Sequence, residues 1–146
     1  MDLRKHVPPL SDHPVDIGHR TEAAILSELV RRGYSVLLPF GVNQRYDMVL
    51  DLNGEFVRVQ CKTGRLKQGA VRFRTQSTRS NTSQTVTRGY AGEAELFLVY
   101  CPEIDRIYAV SVDEAPVNSQ MYLRVDPPIN GQAHGVNWAN EYDLPG

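Results

Sequence analysis

Residues 47–62 read DMVLDLNGEFVRVQCK, two apolar-alternating runs joined by Asn53-Gly54. An Asn-Gly pair in that setting specifies a two-residue hairpin loop, because both residues tolerate the positive φ of a type I′ turn. The loop sets the register: Asp47 faces Gln60, and Lys62 lies on the same face one pleat further on. The opposite face carries Tyr46, Met48, Leu50 and Leu52 against Val57, Val59 and Cys61, the apolar surface that a core requires. The first face is polar, with Asp47, Asp51, Arg58, Gln60 and Lys62, and with Val49 and Phe56 as apolar exceptions. Two readings of it are open. One is a solvated polar surface. The other is a cation site: Asp47, the Gln60 amide oxygen and the Cys61 carbonyl share a hard metal ion, and Lys62 orients or deprotonates a water.

The preceding segment, Asp16 to Arg32, has the period of an amphipathic helix, with Ile25, Leu26, Leu29 and Val30 as its apolar stripe and Gly33 as its stop. Glu22 falls on that stripe, three residues before Ile25 and seven before Leu29. An inward carboxylate without a partner is costly, so Glu22 is a candidate for the same polar site. Pairing with Arg20, or a place in the first turn favoured by the helix dipole, is the alternative.

Downstream, Lys67 to Gln76 alternates as a strand, with Val71 and Phe73 on one face and Arg72 and Arg74 on the other, suited to phosphate or guanine contacts. Ser77 to Thr87 is polar apart from Val86 and reads as an exposed loop; with Arg74, Arg79 and Arg88 around it, it is a candidate for ordering on a polyanion. Leu96 to Cys101 is a continuous apolar run suited to a buried strand, with Ile107 to Val110 as its partner. Met121 to Val125 is a possible further strand, stopped by Asp126-Pro127-Pro128, and Asn137 to Tyr142 reads as a short helix or turn in which Trp138 and Tyr142 pack.

Charge is segregated along the chain. Phe56 to Gly92 contains Arg58, Lys62, Arg65, Lys67, Arg72, Arg74, Arg79 and Arg88 and no acid, whereas from Glu93 onward the only basic residues are Arg106 and Arg124. The net charge of −1 conceals this. A phosphate backbone is the expected ligand of the basic stretch, a solvated basic surface the alternative. The 146 residues and 41% hydrophobic content suit one domain with a real core. No apolar run approaches the roughly 18 residues of a membrane helix. Met1 to Pro14 lacks the apolar stretch of a signal peptide, so a cytoplasmic protein is expected. The two Cys and four His have no zinc spacing, and Cys61 and Cys101 read as buried thiols.

Glu22, Asp47 and Gln60-x-Lys62, in this order and spacing, resemble the PD-(D/E)XK nuclease core in its short-spaced, resolvase-like form. With Tyr90-Ala91-Gly92, Phe97 to Pro102, Tyr108-Ala109-Val110, Leu123-Arg124-Val125 and Trp138-Ala139, the chain is similar to the PD-(D/E)XK homing endonucleases encoded within group I introns, over about residues 18 to 142. Most of the wider superfamily has an acid where this chain has Gln60; the intron-encoded branch carries the same Gln as a working residue. The resemblance implies a restriction-endonuclease-like α/β fold, an N-terminal helix followed by a mixed sheet with flanking helices, with 1–14 as an extension and 15–146 as a single domain. It implies Mg²⁺, with Mn²⁺ able to substitute, held by Asp47, Gln60, Cys61 and Glu22, and catalysis by Glu22, Asp47, Gln60 and Lys62. Double-stranded DNA is the implied partner, met by Arg65, Lys67, Arg72, Arg74, Arg79 and Arg88. Cutting both strands needs two opposed sites, hence a homo-oligomer, a dimer or tetramer. A junction-resolving nuclease and a catalytically silent DNA-binding module are the competing expectations.

Overall fold

A computed structural model of the chain describes every residue except 81–84, 118, 129, 132–134 and 146, with the backbone alone at 78–80 and 85–87. Helix α1 (Pro14–Arg31) starts two residues earlier than its apolar period suggests, because His13 caps it: the ring Nδ1 accepts the Val15 N–H at 3.2 Å, and Pro14 fits the first turn. Gly33, at φ 86°, closes the helix. Thr21, Ile25 and Leu29 form its buried stripe. Val30, expected on that stripe, is 59% exposed. One residue beyond Leu29, it is turned about 100° around the helix.

Strands β1 (Ser35–Leu37), β2 (Met48–Leu52) and β3 (Glu55–Thr63) run antiparallel in succession. The β2–β3 register, from Met48↔Val59 to Leu52↔Glu55, is the expected one, and Asn53 and Gly54 have φ of 57° and 93° in the turn. Gly64 then carries the chain out of this sheet. A Cβ there would stand 2.6 Å from Val71 Cγ1 and 3.0 Å from Val99 Cγ1, so only a glycine fits without displacing two stiff side chains.

The expected strand at Lys67–Gln76 is instead a hairpin, β4 (Arg65–Lys67) and β5 (Ala70–Arg74). Gln68 and Gly69, at φ 51° and 76°, turn the chain between them. The expected loop at Ser77–Thr87 is also paired: β6 (Ser77–Ser80) and β7 (Thr85–Arg88) form an antiparallel ladder around residues 81–84. Thr78, Val86 and Thr87 are β-branched, and this preference for extended backbone outweighs the polar composition. Strand β8 (Leu96–Cys101) lies parallel to β3, and β9 (Arg106–Ser111) pairs antiparallel with β8. β10 (Gln120–Arg124) joins β5 rather than the larger sheet.

The result is a five-stranded mixed sheet, ordered β1-β2-β3-β8-β9, and a three-stranded sheet, ordered β10-β5-β4. Parallel neighbours need a long crossover, usually a helix; between β3 and β8 it is made of β4 to β7. One α-helix accompanies the sheets among the described residues, the other helical pieces being 3₁₀ turns, so the expected flanking helices reduce to α1. None of the described helices is long and apolar enough to cross a membrane.

Two cores sandwich the large sheet. Ile25 and Leu29 of α1 meet Met48, Leu50, Val59 and Leu98 on one face. Val71, Phe73, Met121 and Leu123 of the small sheet meet Phe97, Val99, Cys101, Tyr108 and Val110 on the other. β8 is buried on both faces, which explains its unbroken apolar run.

Candidate active site

Asp47 lies one residue before the β2 ladder. Its N–H donates to the Val59 carbonyl at 2.8 Å, and its Oδ2 accepts the Cys61 N–H at 2.8 Å. The carboxylate therefore takes the place of a neighbouring-strand carbonyl as acceptor for β3, and the expected pairing opposite Gln60 does not continue; short acidic side chains readily compete for backbone donors in this way. Burial raises the Asp47 pKa, opposed by the Cys61 N–H and by the Lys62 ammonium.

Glu22, on α1, is near enough to Asp47 for the two charges to interact. Its pKa is raised, first by burial and then by the Asp47 charge. The helix is tied to the end of β3 by a 2.5 Å hydrogen bond between the hydroxyls of Thr21, which is buried, and Thr63. Gln60 and Lys62 pair with Phe97 and Val99 and share their face of the sheet, away from α1. The Gln60 amide nitrogen donates to the Cys61 carbonyl at 3.3 Å, so Gln60 presents its nitrogen, not its expected ligand oxygen, to that carbonyl. Among the described residues no three His, Cys, Asp or Glu side chains converge as a ready metal cage. The carboxylates number two, Glu22 and Asp47, as the sequence implies.

The Lys62 ammonium is held in a polar and aromatic recess. It donates to the Gln76 carbonyl and to the Tyr90 hydroxyl, both at 3.2 Å, and lies 4.6 Å from the Tyr90 ring centre. Burial lowers its pKa to about 8, against the pull of Asp47 and with help from Arg45 and Arg74. Beside it opens a cleft of about 490 Å³ whose charged lining is Lys62, Arg65, Arg72 and Arg74, with no carboxylate.

A profile of the PD-(D/E)XK endonuclease family matches residues 13–145. The chain belongs to the PD-(D/E)XK endonuclease family. Among solved structures it is similar to that of a bacterial homing endonuclease, I-Ssp6803I, with 23% identity over 86% of this chain and 85% of that one and a TM-score of 0.69. That likeness is one of fold. No curated protein matches the chain.

In this PD-(D/E)XK endonuclease the expected DNA-contacting residues divide into two groups. Arg65 is paired with Glu103 at 3.1 Å and Arg88 with Glu93. Arg58, from the same basic stretch, is paired with Glu95 at 2.5 Å. Arg72, Arg74 and Lys67 make no ion pair among the described residues. Arg72 and Arg74 lie on the outward face of β5, opposite the buried Val71 and Phe73. The Arg79 side chain lies outside the described residues.

Sequence reading assigned no role to Arg45 or Tyr90. Arg45 stands in an irregular segment without periodicity, so only its nearness to Asp47 could have marked it. Tyr90 belongs to the Tyr90-Ala91-Gly92 block, and nothing in that block indicates that its ring lies against Lys62.

Proposed function

We propose that this endonuclease is a divalent-metal-dependent enzyme that hydrolyses phosphodiester bonds in double-stranded DNA, in the manner of a homing endonuclease. The observation that carries the reading is the meeting of three elements at Asp47. Its carboxylate is bonded to the backbone of the strand bearing Gln60 and Lys62, and it interacts electrostatically with Glu22 from α1. The donors suit a hard cation: Asp47, Glu22, the Cys61 carbonyl, and Gln60 once its amide turns its oxygen inward. Both carboxylates hold their protons more tightly than usual, the state that a divalent cation relieves. When bound, Mg²⁺, or Mn²⁺ in its place, would acidify a water and offset charge on the phosphate.

The other roles belong to the chain. At neutral pH Lys62, with a pKa of about 8, is mainly an ammonium, so it donates to a phosphate oxygen or orients the attacking water; above that pH it can accept a proton. The carboxylate-free cleft beside it, with Arg72 and Arg74, suits a phosphate backbone. One site per chain cuts one strand, so double-strand cleavage requires two copies in opposed orientation, in a dimer or tetramer. The similar solved structure is that of a homing endonuclease, which favours the homing-type reading over a junction-resolving one.

The test is cleavage of supercoiled plasmid in Mn²⁺ and Mg²⁺, parental protein beside Asp47→Ala. Nicking or linearisation lost in the variant, together with Mn²⁺ binding, is the expected result. Equal cleavage by both proteins would overturn the site. Neither cleavage nor Mn²⁺ binding by the parental protein would overturn the reading and favour a silent binding module.

A further inference from the structure

We propose that Arg45 and Tyr90 are positioning residues for Lys62: the hydroxyl and ring of Tyr90 hold the ammonium, and Arg45 locks the ring and its segment in place. The proposal rests on the catalytic reading of Lys62 given above. A lysine side chain has four rotatable carbon–carbon bonds, and an ammonium held only by solvent would sample many rotamers. Here three contacts converge on it, the Tyr90 hydroxyl and the Gln76 carbonyl at 3.2 Å and the Tyr90 ring at 4.6 Å. Tyr90 is itself fixed. It is 5% exposed, and its ring meets Phe97 edge-on at 5.6 Å, with Phe97 in turn 5.8 Å from Phe73. That aromatic row belongs to the core between the two sheets, so the ammonium is anchored to packed core side chains.

Arg45 closes the arrangement. Its guanidinium carbon lies 4.2 Å from the centre of the Tyr90 ring. Its nitrogens donate to Glu93, to Ser77 Oγ at 2.7 Å and to the Gly89 and Arg88 carbonyls at 2.7 and 3.3 Å. One planar fork thus joins the residues on both sides of Tyr90 to Ser77, next to the carbonyl that accepts from Lys62. Arg45 is two residues before Asp47, so the same fork ties the segment leading into Asp47 to the segment holding Lys62. With all three of its nitrogens engaged by protein acceptors, Arg45 is a structural cation and not a phosphate ligand; a lysine could not reproduce the fork.

Single-turnover cleavage of supercoiled plasmid in Mn²⁺ tests this with Tyr90→Phe, Tyr90→Leu and Arg45→Lys, each made in the parental protein and in Lys62→Met. Losing the hydroxyl bond to a charged group is expected to slow cleavage about 10-fold in Tyr90→Phe. Losing the whole cradle is expected to slow it about 100-fold in Tyr90→Leu. Arg45→Lys should fall between them, with plasmid and Mn²⁺ affinities unchanged. In Lys62→Met the three substitutions should cause no further loss. An equal further loss there would show a merely structural role and overturn the proposal. The second readout needs no activity: ring currents should move the Lys62 ε-methylene resonance upfield in the parental protein and in Tyr90→Phe, and Tyr90→Leu should abolish most of that displacement. An unmoved Lys62 resonance in Tyr90→Leu overturns the proposal even in an active enzyme. If the parental protein neither cleaves nor binds Mn²⁺, the nuclease reading fails by itself, and the resonance still decides whether Tyr90 holds Lys62.

Discussion

Replacing Lys62 by methionine should make the protein more stable at neutral pH while removing a catalytic group. Burial lowers the ammonium from its ordinary 10.5 to about 8. At about 1.4 kcal/mol per pH unit, keeping it charged in the folded state costs about 3 kcal/mol. Methionine has a similar length and no charge, so that penalty disappears. The Gln76 carbonyl and Tyr90 hydroxyl lose their donor, which returns about 1 kcal/mol and leaves a gain of about 2 kcal/mol. The pH dependence separates this from ordinary repacking. Between about 8 and 10.5 the unfolded chain carries a Lys62 proton that the folded chain has released. Parental stability therefore rises with pH across that window, and below it the penalty is fully present. Urea unfolding in EDTA at pH 7 and pH 10.5 checks both claims. The methionine variant should be the more stable protein at pH 7, with the advantage lost at pH 10.5. A gain of equal size at both pH values, or a variant less stable at pH 7, would refute the reasoning.

Two further substitutions probe the cleft and the junction between the sheets. Arg72→Ala and Arg74→Ala should each weaken binding of duplex DNA by Asp47→Ala protein and reduce the slope of log affinity against log salt by about 0.9, measured by fluorescence anisotropy. Gly64→Ala should destabilise the fold by about 1–3 kcal/mol in urea, because its Cβ would meet two β-branched side chains at 3.0 Å or less.

The hairpin was legible because Asn53-Gly54 specifies both turn and register, and because Met48, Leu50 and Val59 alternate strictly against the core. The buried strand Leu96–Cys101 was legible from length and composition. What failed to show in the sequence depends on backbone conformation or on distant partners. Gln68 is not a residue type that announces a left-handed turn, so the strand read at Lys67–Gln76 runs straight through the turn between β4 and β5. The β6–β7 ladder is built from polar β-branched residues whose composition imitates a loop. Glu22, Asp47 and Lys62 could be listed as candidates from spacing. The capture of Asp47 by the Cys61 N–H, the Thr21–Thr63 link and the Arg45–Tyr90 cradle require three-dimensional neighbours that no local pattern encodes.

The segregated charge along the sequence also has a structural cause, and it is not simply a basic face. Because β8 runs parallel to β3, residues flanking one strand lie beside those flanking the other at an offset of 37 residues. Glu95, just before β8, therefore meets Arg58, and Glu103, just after it, meets the start of β4 at Arg65 and Leu66. Glu93 meets Arg45 and Arg88. The acids that follow the basic stretch neutralise the arginines that border β3, where exposed pairs contribute little to stability but cancel long-range field. Arg72 and Arg74 escape this because the crossover carries β5 into the other sheet, where its outward face meets Tyr122 and Gln120 of β10 rather than an acid. The topology thus concentrates uncompensated positive charge at the cleft beside Lys62, even though the whole chain carries a net charge of −1.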